Sequence, residues 1–117
     1  MERFYVTTAI PYANSAPHIG FAMEAVQADS LARYHRMLGE DVYFLTGTDE
    51  HGMKISDTAK ELGKTPQEHV DDMVRLNKAL KNILNLTYDD FIQTTSERHK
   101  KGAQALWMRL LEAGDIY

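Results

Sequence analysis

Short uncharged β-prone runs alternate along this chain with longer stretches whose apolar positions recur at helical spacing. The run Phe4–Thr8 has the composition of a strand and opens into a loop of Pro, Asn, Ser and Ala. From about Pro17 to Leu38, Ile19, Ala22, Met23, Val26, Leu31, Tyr34 and Leu38 fall on one broad helical face, and Gly39 ends the pattern. Asp41–Thr46 is a second strand, apolar enough to be covered on both faces, with Gly47–Gly52 as its exit loop. A short helix follows over Met53–Leu62. Thr65-Pro66-Gln67-Glu68 then starts another, because Thr65 can cap it, Pro66 suits its first position and Glu68 stands where a capping box needs it. That helix runs to about Leu84 with Val70, Met73, Val74, Leu80 and Leu84 inward. Phe91–Gln93 reads as a short third strand. Ser96 caps a last helix, whose stripe of Ala103, Leu106, Trp107, Leu110 and Leu111 predicts a core position for Trp107. Strands separated by helices predict an α/β fold with parallel pairing and right-handed crossovers. So few strands leave edges and helix faces uncovered, so the pattern predicts the first part of a larger domain with exposed apolar surface.

Composition narrows the class. A chain of 117 residues holds one domain with a modest core. Its net charge of −4 argues against a major nucleic-acid clamp. There is no cysteine, hence no disulfide and no thiolate metal site in this sequence. The start Met1-Glu2-Arg3-Phe4-Tyr5 lacks the basic-then-apolar pattern of a secretion signal, and no apolar run approaches the roughly 20 residues that cross a bilayer. A cytoplasmic protein without membrane contact is the expectation.

The candidate chemistry gathers in the two strand-exit loops, which a parallel sheet brings out on one edge. The first holds Tyr12, Asn14 and His18, and a helix begins near His18. A helix N-terminus offers unpaired N–H groups and a partial positive charge, which suit phosphate. His18 can donate to a phosphoryl oxygen there, and Gly20 leaves room for a flat group such as a nucleobase. The second loop holds Thr48, Asp49, Glu50 and His51. Asp49 suits an ammonium group, with Ile10, Pro11 and Tyr12 able to line an apolar pocket beside it. A cleft taking both a phosphate chain and an amino acid suits amino-acid activation.

The runs Thr7-Thr8-Ala9-Ile10-Pro11-Tyr12-Ala13-Asn14, Pro17-His18-Ile19-Gly20 and Thr46-Gly47-Thr48-Asp49-Glu50-His51-Gly52 resemble the N-terminal part of methionyl-tRNA synthetases, a family of class I aminoacyl-tRNA synthetases. Gln27-Ala28-Asp29, Arg33-Tyr34, Leu38-Gly39-Glu40-Asp41-Val42, Ser96-Glu97-Arg98-His99 and Gly114-Asp115-Ile116-Tyr117 fit the same register, so the resemblance covers essentially the whole chain. It implies the first half of a Rossmann-like (HUP-type) parallel sheet with flanking helices, spanning residues 1–117. It also implies a catalytic domain that activates L-methionine with ATP, accompanied by Mg²⁺, and then charges tRNA(Met). By position, Ile10, Tyr12 and Asp49 would bind methionine, Asp49 through the α-ammonium group. His18, Gly20, Asn14 and Phe21 would lie against ATP, with His18 assisting the phosphates.

Two departures bear on activity. Where the family signature reads His-Ile-Gly-His, this chain has His18-Ile19-Gly20-Phe21, and Phe21 cannot donate a hydrogen bond. Loss of one such donor costs on the order of 10²–10³ in rate. The chain also stops about where the family inserts its connective domain, so the Lys-Met-Ser-Lys-Ser loop and the anticodon-binding helices lie outside it. The resemblance therefore implies a portion that is weak or inactive alone and that leans on a complementing half or on self-association. Two alternatives stay open: a non-catalytic methionine- or adenylate-binding fragment, and a small nucleotidyltransferase of the His-x-Gly-His class.

Overall fold

The computed structural model describes residues 2–117. The elements run β1 (Arg3–Thr7), α1 (Ile19–Met37), β2 (Asp41–Thr48), α2 (Met53–Glu61), α3 (Pro66–Ile83), β3 (Asp90–Gln93) and α4 (Glu97–Ala113). The strands form one parallel sheet in the order β1-β2-β3, a partial Rossmann-like sheet with flanking helices, as the alternation of strands and helices predicts. Arg3 pairs with Asp41 through to Thr7 with Leu45, and Leu45 pairs with Asp90 through to Thr48 with Gln93. β2 runs past the expected Thr46, because Gly47 and Thr48 still pair with Ile92 and Gln93. A Cβ at Gly47 would lie 2.1 Å from the Ile92 carbonyl oxygen, so only glycine lets the two strands meet there.

The expected helix starts are in place. Thr65 and Glu68 form a reciprocal capping box with Pro66 in the first turn, and the Ser96 hydroxyl accepts from the His99 N–H. Two small cores lie under α1, α2 and α3. One joins Ala25, Ala28 and Ala32 of α1 to Phe44, Leu86 and Tyr88; the other joins Ala13, Ile55, Val70 and Val74. Of the positions expected inward on α3, Val70 and Val74 are buried and Met73, Leu80 and Leu84 pack against the cores.

The structure settles which face of α1 meets the sheet and overturns the core position expected for Trp107. On α1 the large apolar stripe faces outward: Ile19, Met23, Val26, Leu31, Tyr34 and Leu38 are exposed. The sheet-facing residues are Phe21, Ala25, Ala28, Asp29 and Ala32. Small side chains let the helix axis come close to Phe44 of β2, and the larger ones are left on its far side. On α4 no residue is buried, and Trp107 is 58% exposed rather than in the core. Tyr5 and Tyr43, adjacent on the other face of the sheet, are also exposed.

Polar locks hold the pieces together. Asp29 is buried, and one of its carboxylate oxygens accepts from both the backbone N–H and the hydroxyl of Thr87 at 2.6 Å; the other accepts from Arg33 at 2.5 Å. Burial opposes the charge on Asp29, but these hydrogen bonds outweigh it and hold the carboxyl below its usual range. Arg36 adds bonds to Thr87 and to Asp89, whose carboxylate also accepts from the Phe44 N–H. Arg98, exposed on α4, makes a two-pronged pair with Asp90 of β3 and so ties α4 to the sheet.

The Arg98 hydrogen bonds, helped by the Tyr43 hydroxyl, pull the Asp90 carboxyl down to about 2. Its folded value lies below its unfolded value of roughly 4, so its stabilising contribution is complete above that value and is lost as pH falls toward about 2. Asp90→Asn is therefore expected to flatten the acid limb of the stability curve between pH values of about 4 and about 2, and to cost about 1 kcal/mol at neutral pH. Urea unfolding followed by circular dichroism at several pH values measures both.

Candidate functional site

The two exit loops are joined to each other by backbone hydrogen bonds. After β1 and β2 separate, Tyr12 and Asp49 form an isolated parallel bridge. The Asp49 N–H donates to the Pro11 carbonyl at 2.9 Å, and the Ala13 N–H donates to the Asp49 carbonyl at 2.8 Å. Pro11 fits because its missing N–H is not needed there: its carbonyl makes the bond. Below the bridge the Thr8 and Thr46 hydroxyls meet at 2.6 Å, and Glu24 of α1 accepts from the Ala9 N–H at 2.5 Å.

From that bridge the chain runs to the start of α1, where His18 is the N-cap. Its Nδ1 accepts from the Gly20 N–H at 3.0 Å and more loosely from Phe21 at 3.4 Å. An accepting Nδ1 places the ring proton on Nε2, so the exposed end of the imidazole is a donor. Gly20 has a reason of its own: a Cβ there would lie 2.9 Å from His18 Cε1, so a side chain would push the cap off the helix. Phe21 lies on the sheet-facing stripe with Ala25, Ala28 and Ala32 and is buried.

On the other side of the bridge, Asp49 is half-buried, and its carboxylate has no ion pair or hydrogen bond among the described residues. Tyr12 stands beside it, about a third exposed, with its hydroxyl over Gly52. Gly52 adopts φ +139, and a Cβ there would sit 1.7 Å from the Tyr12 hydroxyl oxygen. The residue that ends the second loop is thus shaped by the aromatic ring of the first. Glu50 is 4% exposed, and His51 reaches the Thr94 carbonyl through Nε2 at 3.3 Å.

Tyr12, His18 and Phe21 line a common cavity of about 190 Å³ with Pro11, Pro17 and Asn77. Ile10, Asn14, Gly20 and Asp49 are not among its walls. Asn14 is fixed by its backbone, which accepts from His69 Nε2 at 3.0 Å, and its side-chain oxygen is buried without a partner. Asn77 was not singled out by the sequence pattern, yet position 77 continues the inward stripe of Val70 and Val74 on α3. A polar residue on an apolar stripe is the signal that marks it. Its side-chain oxygen, too, has no partner.

Comparison with known proteins now bears on this arrangement. A family model described as tRNA synthetases class I (M) matches residues 4–117. The methionine–tRNA ligase of Deinococcus radiodurans is 52% identical over 117 residues, covering 99% of this chain and 17% of that protein. That of Rhizobium meliloti is 50% identical over 114 residues, covering 97% of this chain and 22% of that protein. Among solved structures, Mycobacterium tuberculosis methionyl-tRNA synthetase in complex with methionyl-adenylate superposes with a TM-score of 0.95 at 42% identity, over 100% of this chain and 23% of that one. The chain thus spans about a fifth of the length of the proteins it matches. A match that begins at Phe4 and reaches Tyr117 leaves almost none of the chain outside the family, and the chain belongs to the methionine-type class I tRNA synthetases.

Proposed function

We propose that this chain forms the N-terminal portion of the catalytic domain of a methionine–tRNA ligase, which activates L-methionine with ATP and passes it to tRNA(Met). The observation that carries the reading is the Tyr12–Asp49 bridge, which holds the phosphate-facing helix start and a carboxylate without a partner on one sheet edge. Asp49 receives the α-ammonium group, and Ile10 and Tyr12 lie along the methionine side chain and backbone. His18 offers its Nε2–H to the phosphates from the N-terminus of α1. Gly20, Asn14 and Phe21 lie on the ATP side. The methionine carboxylate attacks the α-phosphorus in line, an O–P bond forms, the α–β bridging bond breaks and pyrophosphate leaves with its electron pair. Positioning and charge stabilisation do most of that work.

Mg²⁺ is carried on the triphosphate in this reading. Among the described residues no group of three or more His, Cys, Asp or Glu gathers in an arrangement that could hold a metal ion. tRNA(Met) is met through the parts of the ligase beyond this portion, and a cytoplasmic setting goes with protein synthesis. No helix of the described residues is long and apolar enough to cross a membrane.

Phe21 favours a second outcome, in which methionine binds without turnover. Phe21 occupies the sheet-facing stripe of α1, where the family signature has a histidine that can donate. The decisive measurement is methionine-dependent ATP–pyrophosphate exchange by the chain, alone and with a complementing C-terminal remainder. Exchange is expected with the remainder and lost in Asp49→Asn, and Phe21→His raises the rate by about tenfold or more. Methionine binding without exchange in both settings supports the binding module. Exchange with an acceptor other than methionine supports a nucleotidyltransferase.

The exposed Trp107, Leu106, Ile19, Met23 and Met37 call for cover by the complementing half or by a second copy. Light scattering of the chain alone is expected to show concentration-dependent association. A compact monomer that survives dilution and binds no apolar dye contradicts this.

A further inference from the structure

We propose that Glu50 is the positioning residue for Asp49, tying the methionine side of the site to the exit of β3. The inference rests on the reading above, in which Asp49 receives the ammonium group, but the coupling itself is a property of the apo chain. Glu50 is 4% exposed, and its carboxylate makes no ion pair among the described residues. Its two carboxylate oxygens are held by hydroxyls instead, one from Thr48 at 2.5 Å and the other from Thr95. The Glu50 N–H donates to the Thr94 hydroxyl at 2.8 Å, and the Thr94 N–H donates to the Thr48 carbonyl at 3.3 Å. A buried carboxylate costs free energy unless its oxygens are bonded, so these hydroxyls are held to their geometry.

The bonds divide by side of the strand. Thr48 and Glu50, which flank Asp49, are fastened to Thr94 and Thr95 after β3. The N–H and carbonyl of Asp49 are fastened to Pro11 and Ala13 after β1. Asp49 is therefore gripped from both sides, and its backbone dihedrals, which aim the carboxylate, depend on both grips. Remove the Glu50 side chain and the β3 side keeps only the bonds from the Glu50 N–H to the Thr94 hydroxyl and from the Thr94 N–H to the Thr48 carbonyl, so that grip on Asp49 loosens. Glu50 does not touch substrate in this account; it acts through the peptide it shares with Asp49.

The test is backbone amide hydrogen exchange by NMR on the 117-residue chain, comparing the native sequence with Glu50→Ala, Glu50→Gln and Thr95→Val. The reporters are the Asp49 and Ala13 amides. The controls are the Asp41 amide, bonded to the Glu2 carbonyl at the opposite end of the sheet, and the Leu84 amide at the end of α3. Glu50→Ala is expected to speed exchange at both reporters by about tenfold relative to the controls, with Glu50→Gln restoring most of the protection. Thr95→Val, which removes one hydroxyl at nearly constant shape, gives a smaller change of the same kind and serves if Glu50→Ala does not fold. An equal change at reporters and controls, or none at the reporters, overturns the inference. Methionine titration supplies the second arm. Glu50→Ala is expected to weaken methionine binding about fivefold or more while ATP binding is unchanged. Failure of the native chain to bind methionine sinks the role given to Asp49, whereas the exchange result stands or falls without any ligand.

Discussion

Everything proposed for this chain depends on one short stretch of backbone pairing beyond the regular strands. β1 ends at Thr7 and β2 at Thr48, yet the chain pairs once more at Tyr12 and Asp49. Without that bridge the first loop, with its prolines and small residues, would have many conformations and little reason to choose one. With it, the entry to α1 and the exit of β2 are parts of one rigid edge. The bridge uses only main-chain groups, so the side chains of Tyr12 and Asp49 stay free for chemistry. Gly52 completes the arrangement by leaving room for the Tyr12 hydroxyl.

The alternation of strands and helices, the parallel sheet and the caps at Thr65 and Ser96 were legible in the sequence, because periodicity and capping chemistry act locally. The resemblance to methionyl-tRNA synthetases was legible too, in the runs around His18 and Asp49, and the family match runs across both. What was not legible was which face of α1 meets the sheet. Weighing side chains by hydrophobicity favours Ile19, Met23 and Val26, whereas close approach to Phe44 selects Ala25, Ala28 and Ala32. Trp107 was misplaced for a related reason: an apolar stripe says that a face seeks cover, not that cover exists within the same chain. Asn77, the Thr94–Thr95 pair and the link from Glu50 to that pair were not legible, because their importance lies in contacts between segments far apart in sequence.

Phe21 joins the two halves of this account. It replaces a histidine of the family signature, and it also extends the alanine stripe that seats α1 on the sheet. Its burial strengthens the packing of the first helical turn, the same turn that His18 caps. Apolar packing is thereby gained at a place where the signature puts a hydrogen-bond donor. The cavity between Phe21, His18 and the unpartnered side-chain oxygen of Asn77 is where that exchange of roles has its effect.

The central claim is that the exits of β1 and β2 form one crevice with a methionine end at Asp49 and a phosphate end at His18. Amide chemical-shift mapping of the isotope-labelled chain, titrated first with methionine and then with ATP, tests it most directly. The account predicts that methionine moves the signals of Tyr12, Ala13 and Asp49 while ATP moves those of His18, Gly20 and Phe21. Shifts confined to α4 or to the outer face of α1, or none with either ligand, would contradict it.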